Sequence, residues 1–181
     1  MLNYVNLNED VRRFMLEEVD RDIAGGTLYI SPRLSLAGQR DYPSLIREAV
    51  QFHDDGWLED QLRQRGRINA TERRRKPKGG YTMAAVPVTA PETLAEGEFN
   101  RFYARGLCRL AIRDTIAELV VYRAKQVAKP RSESVALIRS SVSAAPLLHD
   151  LRTHPGIDTA LRLPPGPNSG LSVRLRVQLP G

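Results

Sequence analysis

Four arginines, Arg101, Arg105, Arg109 and Arg113, recur at intervals of four. In a helix that spacing lines one ridge, and a ridge of like charges needs carboxylates, phosphates or water beside it. It suits docking on an acidic surface or on nucleic acid; it also suits a solvated face whose long stems cover apolar surface. A second basic group is contiguous: Arg73-Arg74-Arg75-Lys76-Pro77-Lys78. Such a run can contact several phosphates, with steep salt dependence. The sequence shows no trustworthy helix-turn-helix spacing, no zinc finger and no aromatics interleaved with the basic residues, so base-specific readout is unsupported. Non-specific phosphate contact, or docking on a protein, is the chemistry left. A third pair, Arg174 and Arg176, alternates along the last stretch of the chain.

Other constellations are weaker. Glu118 precedes Tyr122-Arg123-Ala124-Lys125, but a restriction-type metal nuclease needs Glu or Asp two residues before the lysine, and Arg123 stands there. His53, His149 and His154 lack the spacing of a metal site and read as solvent-side helix-terminal residues. Cys108 reads as a small buried hydrophobe. There is no Gly-x-Ser-x-Gly elbow and no phosphate loop. Gly166-Pro-Asn-Ser-Gly170 is glycine-rich, but its proline removes a backbone donor that a phosphate cradle needs. No nucleophile–base pair can be nominated, so no enzyme, no cofactor and no metal is expected.

These side chains must be positioned by a chain of 181 residues with 41% hydrophobic content and one cysteine. That length favours one domain with appendages. It has no apolar window of membrane-spanning length, and Met-Leu-Asn-Tyr-Val-Asn does not read as a signal peptide. A disulfide framework is excluded, and a reducing cytoplasm is the simplest compartment. The net charge of +6 is unevenly spread. Residues 1–60 hold six Arg against twelve Asp or Glu, residues 61–80 hold eight basic groups against Glu72 alone, and the rest holds thirteen basic against eight acidic. The basic stretch therefore folds onto its own acidic part, onto a neighbour's, onto an outside polyanion, or is a solvated loop.

Helical periodicity marks Val11, Phe14, Met15, Val19 and Ile23, with Asn8 or Asn6 as cap and Gly25-Gly26 as stop. Thr27 to Ile30 is a short strand or a staple. Asp41 reads as the cap of a helix with Pro43 at its first helical position, ending near His53. Asp54-Asp55-Gly56 reads as a turn before a short helix closed at Gly66. Residues 65–80 have almost no apolar content and are expected to form a flexible arm. Tyr81 to Val88 reads as a strand. Pro91 opens the best-patterned helix, to about Thr115, whose Gly97 and Gly106 suggest close approach of another backbone. Leu119-Val120-Val121-Tyr122 reads as strand, Ser132 to Ser140 as a helical turn or loop, and Ala145 to Leu151 as a helix broken at Pro155-Gly156. Leu163 to Gly170 reads as a rigid loop. Leu171 to Leu179 alternates as a strand, with Ser172, Arg174, Arg176 and Gln178 on a wet or partner-facing side.

Glu96-Gly-Glu-Phe99-Asn-Arg101-Phe-Tyr103, Val121-Tyr122-Arg123-Ala124-Lys125, Pro130-Arg-Ser-Glu133-Ser and Gly166-Pro-Asn-Ser-Gly170-Leu-Ser-Val173-Arg together resemble uncharacterised proteins of bacteriophage and prophage virion-structure gene clusters. The resemblance spans about residues 90–176 and implies a virion component of the head, neck or tail, with no more specific placement. It brings no catalytic residues with it. The expected fold is α+β: an acidic helical part (1–64), a basic flexible arm (65–80), and a core (81–181) in which a small antiparallel sheet packs on one long helix. The expected function is that of a non-enzymatic structural component of a virion, made in the host cytoplasm. Its partners are copies of itself and neighbouring virion proteins, with possible contact to packaged DNA and none to membrane. Arg73, Arg74, Arg75, Lys76 and Lys78 would dock the arm; Arg101, Arg105, Arg109 and Arg113 would form a charged interface; Arg174 and Arg176 would serve a sheet face. The runner-up is a nucleic-acid-binding accessory protein using the same cations on phosphates.

Overall fold

The first helix, α1 (Glu9–Ala24), starts where Asn8 Oδ1 accepts from the Val11 amide at 3.0 Å, which satisfies one of the orphan donors of a helix start. In the computed structural model, residues 1–64, 66–154 and 169–176 are described. Gly25 and Gly26 end α1 as the sequence suggests. Thr27 to Ile30 forms no strand; Leu28 and Tyr29 pack half-buried on the core.

The second helix begins earlier than expected. α2 (Leu36–Phe52) is capped by Ser35, whose hydroxyl accepts from the Gly38 amide at 3.1 Å, and Pro43 lies inside the helix. Asp41-Tyr42-Pro43 imitates a helix start, but Ser35 supplies the real one. Gly38 makes the placement possible: a Cβ there would sit 2.1 Å from the Arg67 carbonyl oxygen. Asp54, expected in a turn, caps α3 (Asp55–Arg63) by accepting from the Trp57 amide at 2.8 Å. That helix stops at Arg63, short of Gly66.

The basic run is not an unstructured arm. Thr71–Arg75 is strand β1, paired antiparallel with β2 (Tyr81–Ala85). The turn is closed by the Lys76 amide donating to the Gly80 carbonyl (3.0 Å) and the Gly79 amide donating to the Lys76 carbonyl (3.1 Å). Gly79 and Gly80 have φ of 89° and 77°, the region glycine enters without penalty. Apolar periodicity could not reveal this strand, because neither face of it is buried.

The long helix α4 (Ala90–Arg113) has Pro91 in its first turn. It buries Phe99, Phe102, Tyr103, Leu107 and Cys108. Gly106 is the close-approach point: a Cβ there would meet Met15 Cγ at 2.7 Å, the Val11 carbonyl oxygen at 2.9 Å and the Met15 amide nitrogen at 3.0 Å. Cys108 is a small core side chain whose thiol pKa burial pushes up.

After α4 come β3 (Glu118–Arg123), α5 (Ser132–Ala136), β4 (Ser141–Ser143), α6 (Ala144–Thr153) and β5 (Leu171–Leu175). They make a three-stranded antiparallel sheet in the order β4-β3-β5, with β3 central. The fold is α+β, with a helical N-terminal part and a small antiparallel sheet packed on the long helix. The C-terminal strand differs from the expected one-sided pattern. Ser172 is buried with Leu171 and Val173, because its hydroxyl hydrogen-bonds Asn100 Oδ1 at 2.6 Å. The outer edge of β5 is also occupied: Asn100 Nδ2 donates to the Leu171 carbonyl (2.9 Å), and the Leu175 amide donates to Asn6 Oδ1 (2.9 Å). Two asparagine side chains thus stand where another strand would pair. The expected break at Pro155-Gly156, the start of the loop at Leu163 and the strand end from Val177 to Leu179 lie outside the described residues.

Candidate functional site

The arginine ridge turns inward. α1 and α4 run in opposite directions, and carboxylates on α1 meet the four guanidiniums in reverse order. Arg113 reaches Asp10 at 3.2 Å and Asp114 at 2.7 Å; Arg109 reaches Glu17 at 2.7 Å and Glu18 at 3.4 Å. Arg105 binds Glu18 at 2.8 Å and Asp22 at 2.6 Å. Arg101 lies 3.7 Å from Asp22 and also binds Glu98. Arg105 is fully buried and Arg101 nearly so. For Arg101 and Arg105 a docking surface is therefore corrected to a buried ladder; Arg109 and Arg113 stay 31% and 41% exposed, and the acidic part of the chain pairs with all four. Arg152 of α6 joins it through Glu18, at 2.5 and 2.9 Å. Burial raises the Glu18 carboxyl, but the bonds from Arg152 and Arg105 outweigh it and hold it at about 2. Burial also lowers Arg105, and the bonds from Asp22 and Glu18 more than offset it. Glu98 is pushed up by burial despite Arg101.

The signal for this ladder was in the sequence. Glu18 and Asp22 are four apart, as are Arg101 and Arg105. What the spacing could not give was the direction in which the two helices run.

A second charged group, around the buried Glu96 and Asp55, gave no signal in the sequence. Lys125 binds Glu92 at 2.7 Å and also Glu96, whose Oε1 is 2.8 Å from the Met1 ammonium. Asp55 sits beside them, accepting from the Leu2 amide at 2.8 Å. Burial lifts its carboxyl to about 6 against the Leu2 amide and the nearby ammonium. Among the described residues no His, Cys, Asp and Glu are grouped to hold a metal ion. His53 stacks on Trp57 with ring centres 4.3 Å apart, and His154 Nδ1 is 2.9 Å from Asp150.

The β1–β2 ribbon is the one sequence-nominated cluster whose cations all remain outside. Arg73, Arg74, Arg75, Lys76 and Lys78 are all exposed. Opposite residues of an antiparallel pair share a face, and the register sets Arg73 against Met83 and Arg75 against Tyr81. One face thus carries Arg73, Arg75, Tyr81 and Met83, with the Arg73 guanidinium 3.8 Å from the Tyr81 ring centre. Tyr81 is 55% and Met83 63% exposed. The other face carries Arg74 and Glu72, and Glu72 is held by Arg74 at 2.6 Å and by Arg33 at 2.6 Å. Arg33 belongs to the body of the protein, so Glu72 acts as the ribbon's anchor. Asn69 Nδ2 strengthens the base by donating to the Pro32 and Leu34 carbonyls. The aromatic residue beside the cations was invisible in sequence because it comes from the opposite strand.

The remaining pair is divided. Arg174 is half-buried on β5. Arg176 is exposed and reaches Ser141 Oγ at 2.9 Å and Glu118 at 3.6 Å. Neither extends the ribbon's surface into one site.

No helix among the described residues is long and apolar enough to cross a membrane. No family model, curated protein or solved structure matches the chain.

Proposed function

We propose that this chain is a non-enzymatic structural component of a bacteriophage particle, in its head, neck or tail, and that it docks through the β1–β2 ribbon. The observation that carries docking is the contrast between two basic rows. The α4 row is matched by α1 carboxylate for guanidinium, whereas Arg73, Arg75, Lys76 and Lys78 have no carboxylate partner among the described residues. A folded chain that neutralises one row so fully and leaves the other outside presents the second to something else. The resemblance over residues 90–176 supports the particle. In this reading the chain works beside copies of itself and neighbouring virion proteins, after synthesis in the host cytoplasm.

Mass spectrometry of purified particles tests the reading. The chain should be present at a fixed ratio to other virion proteins, and R73Q/R75Q/K78Q should lower that ratio. Light scattering of the purified protein should show a discrete closed oligomer or a complex with a virion neighbour. Complete, infectious particles that lack the chain would sink the proposal.

A further inference from the structure

We infer that the β1–β2 ribbon binds duplex DNA through its phosphates, lying in a groove rather than against a flat surface. This rests on the ribbon being the docking element and goes further by naming what it docks on.

Three observations carry it. The cations without a carboxylate partner among the described residues are Arg73 and Arg75 on one face and Lys76 and Lys78 at the tip, while Arg74 on the other face is paired with Glu72. A flat acidic protein surface would engage one face and leave the rest in water. A DNA groove has phosphates on both rims, so cations on a face and at the tip each meet one.

The dimensions agree. A five-residue strand is about 17 Å long, and a two-stranded ribbon is the kind of element that a major groove about 12 Å wide admits.

The third observation concerns the chain's own carboxylates. An acidic patch on another copy would be the natural protein partner, but Asp10, Glu17, Glu18 and Asp22 are occupied by the α4 ladder. Asp20 is likewise held by Arg47, and Glu59 by Arg63. The densest acidic cluster of the chain is therefore already engaged by its own arginines, which favours an anion from outside the chain. Tyr81 and Met83, exposed between the arginines, add apolar contact with sugars and base edges without imposing a sequence.

The test is fluorescence anisotropy of the full chain with a labelled random-sequence duplex of about 20 base pairs, over about 50 to 200 mM salt. With Arg73, Arg75, Lys76 and Lys78 engaged, log affinity should fall against log salt with a slope of about −4. R73Q/R75Q should flatten that slope by about 2 and weaken binding roughly tenfold at the lowest salt, while R73K/R75K keeps the wild-type slope. Circular dichroism and the urea midpoint must match wild type for each variant. If R73Q/R75Q fails that check, K76Q/K78Q at the turn gives the same readout.

Absence of saturable duplex binding, or a slope that R73Q/R75Q does not change, would overturn the inference. So would equal or tighter binding of a polyglutamate chain, which would assign the ribbon to an acidic protein. Tighter binding of the matching single strand would remove the groove. The virion reading is decided separately by particle composition: a chain present in particles but blind to duplex loses only the DNA inference.

Discussion

Arg105 and Glu18 meet inside the protein with no exposure to water. The guanidinium holds one carboxylate oxygen from two nitrogens, at 2.8 and 2.9 Å, while its other side binds Asp22. Such a pair adds little over a well-packed apolar replacement, but removing one partner leaves an uncompensated buried charge. Arg105→Ala should cost about 3–5 kcal/mol in urea unfolding at neutral pH. The loss should shrink toward acid pH, where the abandoned carboxylates protonate.

Glu18 sets an acid limit. Its carboxyl titrates at about 2 in the fold against an ordinary 4.5. A depressed carboxyl contributes stability that is complete above 4.5 and lost as pH falls through 2. Unfolding midpoints followed from pH 6 to 2 should decline across that window, and Glu18→Gln should decline less steeply from a lower start.

Asp55 has the opposite sign. Burial raises its carboxyl from 3.8 to about 6, so folding favours its protonated form. Its contribution is full below 3.8 and lost as pH rises through 6. Asp55→Asn keeps an acceptor for the Leu2 amide and should raise stability at pH 8 by about 3 kcal/mol, with little change at pH 4. Equal effects at both pH values would contradict this cause.

Gly106→Ala should destabilise despite alanine's better helix propensity. The new methyl meets the Val11 carbonyl and the Met15 amide at 3.0 Å or less. Overpacking of this kind costs about 1–3 kcal/mol, against a propensity gain of about 1 kcal/mol. A lowered thermal midpoint checks it.

Thr115 ends α4 at φ 56°, with the Ile116 amide donating to the Ala111 carbonyl at 2.7 Å. This is the left-handed cap position that glycine favours, occupied by a β-branched residue. Thr115 is exposed, so Thr115→Gly should stabilise by about 1 kcal/mol in chemical denaturation.

Legibility followed burial. α1 and α4 were readable because Val11, Phe14 and Met15, and Phe99, Phe102 and Tyr103, bury side chains at helical spacing. The start of α2 was not, since it depends on the Ser35 cap and on the Arg67 carbonyl fitting against Gly38. β1 was missed because strand pairing alone, without a buried face, leaves no apolar alternation; Gly79-Gly80 was the local clue. At the candidate site the five cations were plain in sequence, whereas Tyr81 and Met83 joined them only through cross-strand register. The arginine ridge was plain too, but its partners lie more than eighty residues away along the chain.

Salt bridges repeating every four residues cannot by themselves fix how two helices slide. If α1 moved one turn along α4, some carboxylates and guanidiniums would still meet, as teeth of a rack mesh again after one step, although Phe14 interrupts the acidic row. Gly106 has no such repeat. It is a notch that admits the backbone between Val11 and Met15, and a slide of one turn would bring Phe102 or Leu110 there and put a side chain in the way. The glycine is the key that picks one mesh among several, while the charges supply the grip once it is seated.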